Sequence, residues 1–283
     1  MMRKNLIERL LPIIASLAWA FLFGIMLILF TEGMPVVKSI SPFRFLFGLH
    51  WYPVHEPPEF GILPLLLASF MVTLGAIIVA LPLGLGCAIY LSEIARPCIR
   101  DITKPFIEML AGIPSVVYGF FGLVFLAPLI QKIGNLPTGL TGGTASIILG
   151  IMALPTVTSI AEDAISSVPK NLREASFALG ATRWETITRT VIPAAKSGIF
   201  TSAILGVGRA IGETMTVLMV AGGSAIIPYH FFRPVRTMTA TIAAEMGEAP
   251  MGSLHYHALF AIGLVLFLLT LGLSLAAEWV KER

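Results

Sequence analysis

Arg209 and Glu213 stand out by type and spacing, because both lie in Gly206-Val-Gly-Arg-Ala-Ile-Gly-Glu-Thr-Met215, within a segment otherwise apolar enough to span a bilayer. An ionised side chain at the centre of a membrane helix costs about 2.5–3.5 kcal/mol on insertion scales, so such residues face a bundle interior, a partner or a water-filled path. In a continuous helix the i,i+4 spacing sets guanidinium and carboxylate on one face, where they neutralise each other. A cation tempered in this way can line a transport path or serve as internal glue. Arg209 is expected to face a translocation pathway with Glu213 moderating its charge. Gly206, Gly208 and Gly212 are expected to let a neighbouring helix approach closely. The competing reading is an ion pair that only holds subunits together.

The elements that must position this pair are membrane helices. The chain has 283 residues, 56% hydrophobic and 12% charged, with a mean hydropathy of +0.88, whereas soluble domains are roughly 25% charged. Its long apolar runs are broken by Gly and Pro and lack the alternation over about ten residues that marks barrel strands. The fold class is all-α integral membrane protein, one transmembrane domain with six spans near 10–30, 63–91, 106–130, 144–160, 199–222 and 256–277. Residues 31–61, rich in Pro and aromatic side chains, and residues 223–250 form loops on one side of the membrane. The first apolar run continues ten residues past Ala18-Trp-Ala20, which separates it from a cleaved signal peptide. Thirteen of the 19 Lys and Arg fall on the side of the termini and of residues 161–198, and five on the other. The positive-inside rule then places both termini and the 161–198 segment in the cytoplasm.

Several chemistries lack their residues. The cations are scattered among loops instead of forming a stripe, so nucleic acid is not a partner. Cys87 and Cys98 form no C-x-x-C pair, and His50, His55, His230, His255 and His257 have no ligand spacing, so no metal site is expected. No G-x-x-x-x-G-K-[ST] phosphate loop and no H-E-x-x-H motif occurs. The chain is expected to be no enzyme, and energy must come from a separate subunit. Glu108 is given a structural, interfacial role, and Arg233 and Arg236 read as solvated loop charges.

The polar segment between the fourth and fifth spans has its own organisation. Pro169 to Gly180 reads as a short helix opened by Pro and closed by Gly, and Ala181 to Pro193 as a second. Leu172, Ser176 and Leu179 share a face, beside Ala175. Such an amphipathic hairpin either lies on the lipid surface or inserts apolar knobs in a groove of a soluble partner.

Glu174-Ala-Ser176, three residues, Gly180, nine residues and Thr190-Val-Ile-Pro193 resemble the E-A-A-x3-G-x9-I-x-L-P loop of the permeases of ABC importers. Ser176, Thr190 and Ile192 depart from that pattern, while Glu174, Ala175, Gly180 and Pro193 keep it. Arg209-Ala-Ile-Gly-Glu213-Thr-Met is similar to the R-A-[IVM]-G-E-T-[AM] signature of phosphate importer permeases, of the PstC type more than the PstA type. The resemblance implies a type I ABC importer permease fold and a bacterial or archaeal inner-membrane location. It implies import of inorganic phosphate, with sulfate or molybdate as the alternative substrates and a proton-coupled secondary transporter as the alternative class. The partners it implies are a PstA-type permease, two ATPase subunits that hold ATP and Mg, an extracytoplasmic phosphate-binding protein and membrane lipid. Glu174, Ala175, Gly180, Pro193, Leu172 and Leu179 would then couple to the ATPase.

Overall fold

The computed structural model describes the backbone of residues 2–281 and the side chains of residues 11–279. Arg3, Lys4, Arg9, Lys281 and Arg283, which weigh in the orientation argument, have their side chains outside the described ones. The first helix, α1 (Met2–Ser39), is followed by the short α2 (Pro42–Phe47) and a small antiparallel hairpin, β1 (Trp51–Tyr52) and β2 (Glu59–Phe60). Trp51 pairs with Phe60 and Tyr52 with Glu59. Next come α3 (Leu63–Ile89), closed by a π turn over Tyr90–Ile94, and α4 (Pro97–Ala111). A break at 112–114 precedes α5 (Ser115–Phe121), which runs through a π turn into α6 (Ala127–Gly134).

α7 (Gly142–Ser166) leads to α8 (Lys170–Ala178) and α9 (Arg183–Thr186), then a π turn and α10 (Ile192–Ala194). α11 (Lys196–Ile211), α12 (Met215–Val220), α13 (Met238–Glu245) and α14 (Leu254–Lys281) complete the order. Among the described residues, five helical segments are long and apolar enough to cross a membrane, and the bent pair Arg183–Ala194 with Lys196–Ile211 makes up to six.

α7 is the central post. Its buried positions Ile148, Met152, Pro155, Thr158, Glu162 and Ile165 follow a helical period, so one face runs its whole length against α3 and α11. The approach to α3 is close because small residues meet there: a methyl on Gly150 would lie 2.7 Å from Val79 Cβ, and one on Gly75 2.4 Å from Ser146 Oγ. Dispersion over such a seam replaces the hydrophobic effect inside a bilayer. α1 lies at the outside, packed against α14, where Gly33 comes within contact of the Ala261 backbone. A second core, with Trp51, Phe60, Ile62, Met238 and Leu259, closes the end of the bundle opposite the α8–α9 hairpin.

Two expected spans are divided. The span at 106–130 is two pieces: α4 ends at Ala111, and the chain restarts at Ser115 after Gly112-Ile-Pro114. Pro114 has no N–H to continue the ladder and disfavours helical backbone at Ile113. The span at 199–222 is also two pieces, α11 and α12, separated by Gly212-Glu-Thr214. α7 extends to Ser166, so the 161–198 segment begins inside a helix, and the 223–250 loop contains α13.

Candidate functional site

The residues that flank the break at 212–214 bond to those that flank the break at 112–114. Thr216 donates its hydroxyl to the Ser115 carbonyl at 2.9 Å. Gly119 lets α12 lie against α5, since a methyl there would meet Met219 Sδ at 2.7 Å and Thr216 Cα at 3.2 Å.

The i,i+4 pair expected from the sequence does not form. Arg209 sits in the last turn of α11, and Glu213 lies beyond the helix end, so the spacing no longer sets them on one face. Among the described residues, no ion pair joins them. Arg209 Nη2 donates to the Ala111 carbonyl at 3.2 Å and Nη1 to Thr156 Oγ1 at 3.4 Å, while its Nε is buried with no partner. Glu213 turns to the other half-helix and accepts from the Thr216 backbone N–H at 3.1 Å, while its own carbonyl accepts from Thr239 Oγ1 at 2.8 Å. Both α4 and α11 therefore end at the guanidinium. Each helix C-terminus carries roughly half a negative elementary charge, so two dipoles temper Arg209 where a carboxylate was expected to.

The glycines divide the same way. Gly206 faces inward, with Val157 Cγ2 2.8 Å from an added methyl, whereas Gly208 meets nothing within 4 Å and is exposed. Gly212 caps α11 and meets only its own helix.

The hairpin of α8 and α9 turns at Gly180, whose φ of +84° is the left-handed conformation open to glycine. Glu174, Ala175 and Pro193 are exposed. Leu172 is also exposed and Leu179 is 90% exposed, beside Trp184 at 63%, which the sequence reading passed over. α9 opens with a capping box: Glu185 N donates to Thr182 Oγ1 at 3.3 Å and Thr182 N to Glu185 Oε2 at 2.9 Å. Those bonds from Thr182 hold the Glu185 carboxyl below its ordinary value. Ser176 and Thr190, two of the departures from the loop pattern, meet each other at 3.4 Å beside Thr186. Arg173 anchors the hairpin to the end of α3 by donating to Glu93 Oε1 at 2.6 Å, and Arg183 donates to the Glu93 carbonyl.

Two carboxylate clusters were missed. Near the hairpin, Glu162 of α7 receives Arg100 Nη2 at 2.5 Å, Lys104 Nζ at 2.7 Å and Ser166 Oγ at 2.8 Å. Burial would lower the Lys104 ammonium, but hydrogen bonds to Asp163 and Glu162 and the charge of both carboxylates hold it above its ordinary value. At the opposite end, Glu245 of α13 receives Arg236 Nη1 at 2.5 Å, His255 Nε2 at 2.9 Å and Trp51 Nε1 at 3.0 Å. Arg236, expected as a solvated loop charge, is thus part of a built network, and His255 joins it. Glu108 is exposed on α4. Glu162 had a legible signal, since it falls on the buried stripe of α7.

Residues 80–283 match the family described as binding-protein-dependent transport system inner membrane component. The chain belongs to this family. It is thus a transport permease subunit of the inner membrane, with several apolar helices. The permease is 40% identical over 276 residues to the probable ABC transporter permease protein YqgH of Bacillus subtilis, covering 97% of this chain and 87% of the relative. It is 36% identical over 291 residues to the phosphate transport system permease protein PstC of Mesorhizobium japonicum, covering 95% and 87%. Its fold is similar to a chain of a bacterial alginate ABC transporter in complex with a periplasmic protein bound to alginate pentasaccharide. That match has a TM-score of 0.66 and 15% identity, over 98% of this chain and 94% of the other. The fold is that of the type I ABC importer permeases.

Proposed function

We propose that this permease is a transmembrane subunit of an ATP-driven importer that moves inorganic phosphate into the cytoplasm. It pairs with a second, PstA-type permease, two ATPase subunits that bind ATP and Mg, and an extracytoplasmic phosphate-binding protein. Both termini and the α8–α9 hairpin face the cytoplasm, where Glu174, Ala175, Gly180, Pro193, Leu172 and Leu179 meet the ATPase. The near full-length similarity to phosphate transport system permease proteins supports the substrate.

The observation that carries the pathway reading is the state of Arg209. Among the described residues, its guanidinium, which lies where two broken helices meet, holds two long hydrogen bonds and keeps a buried Nε without a partner. A guanidinium offers five donors in a planar fork suited to oxyanions, so spare capacity remains for a passing phosphate. The helix ends at Ala111 and Ile211 keep that attraction short of trapping. Glu213, by capping α12, holds the break open instead of quenching the charge. Lys196 to Ile211 is one uninterrupted helix of 16 residues, about 24 Å long, so hairpin movement reaches Arg209 directly.

Uptake into liposomes holding the full complex tests this, with phosphate, arsenate, sulfate and molybdate in competition. Phosphate and arsenate should compete, and Arg209→Gln should lower uptake about 10–100-fold, the loss of one charged hydrogen bond. Sulfate uptake without phosphate uptake would remove the substrate assignment, and full uptake by an assembled Arg209→Gln complex would remove the pathway role.

A further inference from the structure

α4 holds its place against α7 without burying any of its own described side chains. Polar bonds tie it at its two ends. At the hairpin end Arg100 and Lys104 reach Glu162, which is only 1% exposed. Lys104 also reaches Asp163 at 2.5 Å. At the far end the Leu110 carbonyl accepts the Tyr118 hydroxyl at 2.9 Å, and the Ala111 carbonyl accepts Arg209. Arg100 to Ala111 is eleven helical steps, about 16 Å. The helix therefore forms a strut with Glu162 at one end and the guanidinium at the other.

The strut also borders the hairpin. A cavity of about 400 Å³ is lined by Arg100 and Ser166 together with Glu93, Lys170, Arg173 and Glu174. Arg173 crosses to the Ile165 carbonyl at 2.9 Å, one residue from Ser166. Displacement of α8 thus bears on the end of α7, where Glu162 and Ser166 grip α4. An apolar seam would let α4 slide, because burial is non-directional. Charged hydrogen bonds instead weaken steeply with geometry and keep one register. The break at 112–114 frees α4 to move as a unit.

We infer that Glu162 is a positioning residue for transport: it locks α4 to α7, so that hairpin movement arrives at the Ala111 carbonyl and re-aims Arg209. The inference rests on the pathway reading of Arg209. It gives the importer a second line from hairpin to guanidinium, parallel to α11.

The test uses the complete complex in vesicles, with Cys87→Ser and a nitroxide on Cys98, an exposed cysteine at the start of α4. Phosphate taken up per ATP hydrolysed and nitroxide mobility are read together. Glu162→Gln should keep ATP hydrolysis within about twofold, lower phosphate per ATP about tenfold and mobilise the label, while Glu162→Asp restores most of both. Lys104→Gln, which leaves the Arg100 pair in place, should lower the ratio about threefold and serves where Glu162→Gln fails to assemble. Hydrolysis and uptake falling in proportion, or a freed label with an unchanged ratio, would reduce Glu162 to a structural role. An unchanged label would overturn the lock itself. A parent complex that carries sulfate in place of phosphate sinks the substrate reading alone, and the sulfate per ATP ratio then decides Glu162 in the same way.

Discussion

Glu162 and Glu245 each gather three donors, but the helices they hold are seated differently. Glu162 is 1% exposed and faces two permanent cations from α4, a helix with no buried described side chain. Glu245 is 15% exposed and faces one permanent cation, an imidazole and an indole. Its helix, α13, also buries Met238, Thr239, Ala240 and Thr241. At the hairpin end, charged hydrogen bonds hold a helix with no fully buried side chain; at the other end, charge trims a helix that also buries one face. The last residue of α4 meets Arg209 and the first turn of α13 meets Glu213, so both helices touch the break at 212–214. A strut held by directional bonds and a base held by burial are what a moving part and a fixed part require.

The largest effect should separate the clusters outright. Removing one partner of a buried ion pair costs about 3–5 kcal/mol. Glu162→Leu leaves Arg100 without a carboxylate and Lys104 with Asp163 alone, both cations being partly exposed, so its loss should sit near the bottom of that range, and Glu245→Leu should cost less. Denaturant unfolding of the purified chain in micelles measures both, and equal losses would break the comparison.

A smaller loss is expected from Thr239→Val. This near-isosteric change removes one hydroxyl donor from the Glu213 carbonyl and should cost about 1 kcal/mol, seen in the same unfolding curves. Faster hydrogen exchange confined to residues 213–216, with α13 unchanged, would confirm α13 as the fixed side. Exchange that spreads through α13 would contradict it.

Lys104 sharpens the comparison by titration. Its folded value lies above the ordinary 10.5, so its stabilising charge is complete below that pH and is lost only as the pH climbs through the higher value. Nitrogen NMR of the Lys104 ammonium should show a midpoint above 10.5. A lower midpoint would mean that burial outweighs the carboxylates and that charge does not hold α4.

The smallest effect belongs to Glu185, whose carboxylate closes its own helix cap. Its folded value lies below the ordinary 4.5. The contribution is therefore present above that pH and disappears as acid carries the group through its lower value. Carbon NMR of the Glu185 carboxyl should place its midpoint under 4.5, with protection of the α9 amides lost there.

Much of this architecture is legible in the residues. The apolar runs mark the spans, and Gly180 with Glu174 and Pro193 marks the hairpin, because those signals are local. Arg209 is legible as the one basic residue inside a span, but its partner is not. The i,i+4 rule presumes a continuous helix, and Gly212-Glu-Thr214 interrupts this one. The converse error concerns Arg236 and His255, which look like loop residues until α13 and α14 bring them to Glu245 over nine and ten residues of sequence. Glu162 was readable from its place on the apolar stripe of α7, yet its cations come from α4, 58 or more residues away. No periodicity links elements that meet only in the folded bundle.

Gly119 brings α5 onto α12, and a methyl on Gly122 would come within 2.8 Å of Val220 and 3.0 Å of Ile148. Together with the bond from Thr216 to Ser115, these contacts leave the two half-helices no room to slip past one another. They form a single tile with the mid-part of α7, so that α5 and α12 shift together if they shift at all.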